Sequence, residues 1–196
     1  MNTFRTFMAL NLPISTLRKV DTMVQTELRT RAQDLDLKVG WVKAPNMHVT
    51  LKFLGNIPEE TCWTIRDRLP ILLNERPALR LHPRGLGAFP SPEEPKVLWL
   101  GLEQQDEGLT RLASVVDDWF EEMGFEREKR AFTAHLTLGR VKSGSAAELL
   151  QTPELAEIDM GPCTATDVVF YRSVLQRAGA EYTPLARCKL LGGMGG

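Results

Sequence analysis

The chain is 196 residues long, with 43% hydrophobic and 25% charged side chains, the composition of an ordinary globular domain rather than of a disordered or membrane-spanning one. Its 24 basic and 25 acidic residues nearly cancel, which argues against a broad cationic surface for long duplexes and leaves room for a grip on a short nucleic-acid end. Cys62, Cys163 and Cys188 are scattered and odd in number, so neither a disulfide framework nor a zinc–thiolate site is expected, and a reducing cytoplasm fits.

The amino terminus, MNTFRTFMALNLPIS, has no charged segment leading into a long apolar run, so no signal peptide is expected. No stretch reaches the length of a membrane span. FRTFMALNL predicts a strand closed by Pro13, and residues 15–35 a helix that buries Leu17, Val20, Val24 and Leu28. NMHVTLKFL predicts a second strand, ended by Gly55-Asn56. Pro58-Glu59-Glu60 then opens a helix with its acidic residues where the helix dipole favours them. LRLHPRGLGAF and KVLWLGL predict a hairpin around PSPEEP. Residues 106–123 predict a helix burying Leu109, Leu112, Val116 and Trp119 or Phe120, stopped by Gly124. AFTAHLTLGRV is the next strand and residues 146–157 a weaker helix. DVVFYRSVL and EYTPLARCKLL form a closing hairpin around QRAGA. The hairpins require antiparallel pairs, so the fold class is α+β rather than a doubly wound parallel sheet. Residues 1–190 are expected to form a single domain of two intertwined lobes, and 191–196 a flexible glycine-rich tail. GLG at 85–87 lacks the rest of a P-loop or a dinucleotide fingerprint and reads as a tight bend at a strand end.

NMHVTLKFLG and, later, TAHLTLGR place two of the three histidines in matched His-x-Thr-x settings. Alternate side chains of a strand point to opposite faces. Met47, Val49, Leu51 and Phe53 fall on one face, apolar and suited to a core, and His48, Thr50 and Lys52 on the other. In the second stretch Phe132, Ala134, Leu136 and Leu138 fall inward, with Thr133, His135, Thr137 and Gly139 outward. Two such faces turned toward each other would make a cleft holding two imidazoles and two hydroxyls. One imidazole can accept a proton near neutral pH while the other donates one, and the hydroxyls can donate to phosphoryl oxygens as charge builds. Neither histidine has zinc-ligand spacing, and no serine or cysteine stands in a nucleophile elbow. A lone strand histidine is more often structural, the reading given to His82 in LHPRG, and a strand threonine more often reflects β-propensity. The matched pair of motifs is what points to metal-free acid–base hydrolysis of a phosphodiester.

His48-Val49-Thr50-Leu51 and His135-Leu136-Thr137-Leu138 resemble the paired HxTx motifs of the 2H phosphoesterase superfamily. FMALNLP, WVKAPNMHVTLKFLG, GLGAFPSPEEPKVLWLGL and FTAHLTLGR are similar to its RNA 2′,3′-cyclic phosphodiesterase branch, long called 2′-5′ RNA ligase, and the likeness runs from Phe4 to about Leu190. The resemblance implies two pseudo-symmetric lobes, each giving an antiparallel sheet and one motif to a central cleft, with helices outside. It implies hydrolysis of an RNA 2′,3′-cyclic phosphate to a 2′-phosphate end without metal; a cytoplasmic monomer acting on RNA ends or nucleotides that carry a 2′,3′-cyclic phosphate, with no cofactor and no membrane, is expected.

By position His48 matches the family's proton donor to the departing 3′ oxygen, and His135 its base activating water. Thr50 and Thr137 match the hydroxyls that hold the phosphate, and Arg140 an arginine that contacts it. Arg140 carries the parity of the buried face, so the strand must end or twist before it. Lys52 is a further substrate-binding candidate on face geometry alone, with a solvated lysine as the equal alternative. Where family members commonly have proline before the second histidine, this chain has Ala134, from which tuned rather than abolished activity is expected. Ligation, another cyclic phosphate and a 2′-5′-linked oligonucleotide stay open. A non-catalytic RNA-end binder would be expected to have lost one of the four motif residues, and none is lost. An RNA-recognition module on ferredoxin-like sheets would carry an aromatic stacking strand that is missing here.

Overall fold

In the computed structural model, which describes residues 2–176 and 179–191, the chain passes back and forth between two sheets. Its first half runs β1 (Thr3–Asn11), α1 (Ile14–Met23), a π-helical segment (Val24–Leu28), α2 (Arg29–Asp34), β2 (Lys38–Trp41), β3 (Val49–Pro58), α3 (Glu59–Leu73) and β4 (Leu79–Pro90). The second half runs β5 (Pro95–Gln104), α4 (Gly108–Glu122), β6 (His135–Ser143), α5 (Ala147–Leu150), α6 (Pro153–Ala156), β7 (Cys163–Ala165), β8 (Asp167–Gln176) and β9 (Gly179–Lys189). One sheet has the order β3-β1-β8-β9 and the other β2-β6-β5-β4-β7, with every pairing antiparallel. The α+β class therefore holds.

Helical spacing explains the outer layer. Leu17, Val20, Val24 and Leu28 are buried along the first helix, Cys62, Ile65, Leu69 and Leu73 along α3, and Leu109, Leu112, Val116 and Phe120 along α4. These join the inner faces of both sheets in one core cluster that includes Met8, Val49, Leu100, Leu136 and Phe170. Gly124 takes a φ of 88° just past α4, the left-handed conformation that ends a helix at little cost to glycine.

Several boundaries differ from the sequence reading, each for a local reason. β2 and β7 were not expected: they are four and three residues long, too short for periodicity, and each pairs with a single neighbour at a sheet edge. The helix expected over 146–157 is two single turns, because Pro153 biases Thr152 to an extended conformation between them. β3 does not stop at Gly55-Asn56 but continues to Pro58. GLG is not a strand end. It lies inside β4, where Gly85 sits at a bulge between Arg84 and Leu86. The turn residues 177–178 and the glycine-rich tail from 192 onward lie outside the described residues. Among those described, no helix is long and apolar enough to cross a membrane.

Candidate active site

The two motif strands bend in the same place. β3 pairs Ala9 with Thr50 but Met8 with Lys52, leaving Leu51 as an extra residue, and β6 pairs Trp99 with Thr137 but Leu98 with Gly139, leaving Leu138 extra. Each is a β-bulge at the last position of His-x-Thr-x, and a bulge reverses the alternation beyond it. Arg140, opposite Val97, is thereby returned to the face of Thr137 and Trp99. This supplies the twist that its parity required.

The same reversal corrects the reading of β3. Phe53, expected in the core, lies opposite Phe7 on the cleft face and is 62% exposed. Lys52, expected beside His48, lies opposite Met8 on the core side and is 4% exposed. Its Nζ donates to Asp117 of α4 and to the Glu126 carbonyl at 2.6 Å. Asp117 also accepts from the Glu128 backbone N–H at 3.2 Å. Lys52 thus ties β3 to α4 and to the segment that leads into His135.

Both histidines are oriented by one device. His48 Nδ1 lies 2.8 Å from the Asn46 carbonyl and His135 Nδ1 lies 2.7 Å from the Thr133 carbonyl, each two residues earlier. A carbonyl can only accept, so Nδ1 carries the proton in both rings and Nε2 is the nitrogen left for chemistry. Asn46 is itself anchored, its side-chain amide donating to the Ala180 carbonyl at 2.8 Å.

The surroundings differ. His48 stacks on Phe7, with centroids 4.7 Å apart, and meets Tyr182 edge-on at 5.2 Å. His135 has edge contact with Phe89 at 4.9 Å. Gly87, opposite Trp99, makes room for the indole, since a Cβ there would come within 2.1 Å of its ring. Burial pushes His48 down to about 4, opposed by the Asn46 carbonyl and reinforced by the charge of His135. Burial also lowers His135, again opposed by a carbonyl, that of Thr133.

The cleft has two connected parts. A cavity of about 680 Å³ holds His48, Thr50, Thr137, Arg140 and Tyr182, and one of about 570 Å³ holds His135; Thr50 and Phe53 border both. Four sequence-predicted residues and Arg140 are thus brought together, and Lys52 borders the His135 cavity with its Nζ engaged by Asp117 and the Glu126 carbonyl. The sequence reading missed Phe7, Tyr182, Phe53 and Trp99. The parity of Arg140 held a signal for Phe53, because it already demanded a bulge in the second motif. His82 lies elsewhere on β4, bonded to Asp159 at 2.6 Å, as its structural reading expected.

Paired imidazoles and hydroxyls with a guanidinium, carried by two antiparallel sheets, are the set that a two-histidine phosphoesterase would need. A family model described as LigT like phosphoesterase matches the chain twice, over residues 19–99 and 100–182, one match for each motif. An RNA 2′,3′-cyclic phosphodiesterase of Aeropyrum pernix is 34% identical over 76% of this chain and 84% of its own length. The enzyme of that name from Methanothermobacter thermautotrophicus is 34% identical over 92% and 96%. The crystal structure of E. coli LigT complexed with 3′-AMP superposes with a TM-score of 0.70 at 27% identity, covering 96% of this chain and 99% of that one. This chain belongs to the LigT-like phosphoesterase family.

Proposed function

We propose that this protein is a cyclic phosphodiesterase that opens RNA 2′,3′-cyclic phosphate ends to 2′-phosphate ends with two histidines and no metal. The observation that carries the reading is the pair of imidazoles, one beside each sheet's motif strand, each with Nδ1 committed to a backbone carbonyl and Nε2 left for a shared cleft. The names of the relatives and the 3′-AMP complex of the E. coli protein support the substrate class. Among the described residues no group of three or more His, Cys, Asp or Glu is disposed to hold a metal ion.

In this reading water attacks phosphorus while giving a proton to His135 Nε2, and the P–O3′ bond breaks as His48 Nε2–H protonates the departing oxygen. The cycle closes when solvent carries a proton from the first ring to the second. Burial keeps both rings neutral in the free protein, so the acid must be charged by what binds. A phosphodiester anion against His48 raises its proton affinity, and the Asn46 carbonyl stabilises the imidazolium through Nδ1–H. Thr50 and Thr137 donate to the nonbridging oxygens, and Arg140 offsets the charge that builds there. The order of roles rests on family position. Burial alone would make His48, the more deeply set ring, the neutral base. With a 5′-hydroxyl in place of water, the same step forms a 2′-5′ linkage.

Phosphorus NMR of the product from an RNA ending in a 2′,3′-cyclic phosphate, with EDTA present, tests the proposal. A 2′-phosphate is expected. A 3′-phosphate, or hydrolysis only once a divalent ion is returned, would overturn it.

A further inference from the structure

Residues directly opposite one another in neighbouring strands share a face, so the pairings define rows that cross the β3-β1-β8-β9 sheet. The row through Phe7 is aromatic: Phe53, Phe7 and Tyr171. The next row reads Asn56, Arg5, Ser173 and Tyr182, one residue from each of the four strands. Every member carries a hydrogen-bond donor: an amide, a guanidinium and two hydroxyls. All four line the cavity that holds His48, and two residues of strand, about 7 Å, separate Arg5 from the Phe7 that stacks on that ring.

The charge on this side is one-signed. Arg5 and Arg140 border the cavity, and among the described residues no carboxylate does. Neither belongs to the ion-paired arginines of the described residues. Tyr182 lines the same cavity, and the guanidiniums of both act on its hydroxyl against the burial that raises it. The His135 side of the cleft differs, since Asp117 and Glu128 line it.

We propose that the row Asn56–Arg5–Ser173–Tyr182 is a second phosphate subsite, which takes the backbone phosphate 5′ to the terminal nucleotide while the cyclic phosphate lies between the histidines. The inference rests on the cyclic phosphodiesterase reading and adds to it a reason to prefer RNA ends over free nucleosides. A guanidinium flanked by hydroxyl and amide donors suits a phosphate monoanion, with Arg5 at the centre of the contact and its neighbours in the row beside it. Arg5 is exposed and lies at a strand end, so its replacement leaves the core untouched.

The test compares three substrates: a nucleoside 2′,3′-cyclic phosphate, the same compound with a 5′-phosphate, and a dinucleotide ending in the cyclic phosphate. In wild type kcat/KM is expected to rise roughly tenfold or more when the 5′-phosphate is added, mainly through KM, as one charge-assisted contact allows. In Arg5→Gln that ratio should fall to near one, and Arg5→Lys should restore part of it. Equal kcat/KM across the three substrates in wild type, or an unchanged ratio in Arg5→Gln, overturns the subsite. Calorimetry with a nucleoside 2′-phosphate and a nucleoside 2′,5′-bisphosphate reads the same preference without turnover. If wild type hydrolyses none of the substrates yet binds the bisphosphate more tightly through Arg5, the reading of the reaction falls and the subsite stands.

Discussion

His48 and His135 are held alike and covered differently. Each gives Nδ1 to the carbonyl two residues earlier, and each motif ends on a bulge. What lies opposite is not repeated. Thr50 faces Ala9 with Phe7 in the next row, whereas Thr137 faces Trp99 with Val97 in the next row. The aromatic therefore falls at different heights in the two sheets, flat against His48 in one and offset from His135 in the other. A duplicated motif supplies two rings of like orientation, and neighbours that are not duplicated make their proton affinities unequal. In the proposed reaction the order of acid and base rests on family position, because burial alone would favour His48 as the base.

The largest effect should come from breaking either side outright. Alanine at His48 or at His135 is expected to lower kcat/KM by roughly 10²–10⁴-fold with the circular dichroism unchanged, since the proposed reaction gives each ring a proton transfer. Near-normal turnover in either purified variant would end the account. The bulges offer a second contrast, because they turn Lys52 inward on one side and Gly139, with no charge to bury, on the other. Lys52→Met leaves Asp117 with only the Glu128 N–H and the more distant Arg127. A loss of about 3 kcal/mol in urea unfolding is expected, the low end for breaking a buried pair. No loss would mean that the lysine is not committed there.

A subtler contrast is the pH dependence of stability. His48 titrates at about 4 in the folded chain against about 6.5 unfolded, so between those values the unfolded state binds the extra proton. Its contribution is complete above about pH 6.5 and is lost as pH falls toward 4, on the order of 3 kcal/mol in all. Urea midpoints of wild type and His48→Gln across that window measure it. The variant should lose the slope, and parallel curves would show that the ring is not desolvated.

Four catalytic candidates were legible because strand alternation holds as far as the threonine of each motif. It fails one residue later, since Leu51 and Leu138 look like any core leucine and a bulge has no composition of its own. That is why Lys52 and Phe53 were read on each other's faces, and why Arg140 seemed misplaced. The cover over His48 was not legible at all. Phe7 and Tyr182 reach it only through the β3-β1-β8-β9 pairing, which joins the two ends of the chain. β2 and β7 owe their conformation to a single neighbour each, so no local pattern announces them.

The measurement that bears most directly on the two unequal histidines is a comparison of leaving groups. A nitrophenyl phosphodiester needs little protonation as it departs, whereas the ribose 3′ oxygen needs a proton. The account predicts that His48→Ala recovers most of its lost activity on the nitrophenyl ester while His135→Ala stays impaired on both substrates. Recovery in His135→Ala and none in His48→Ala would contradict the assignment of acid and base.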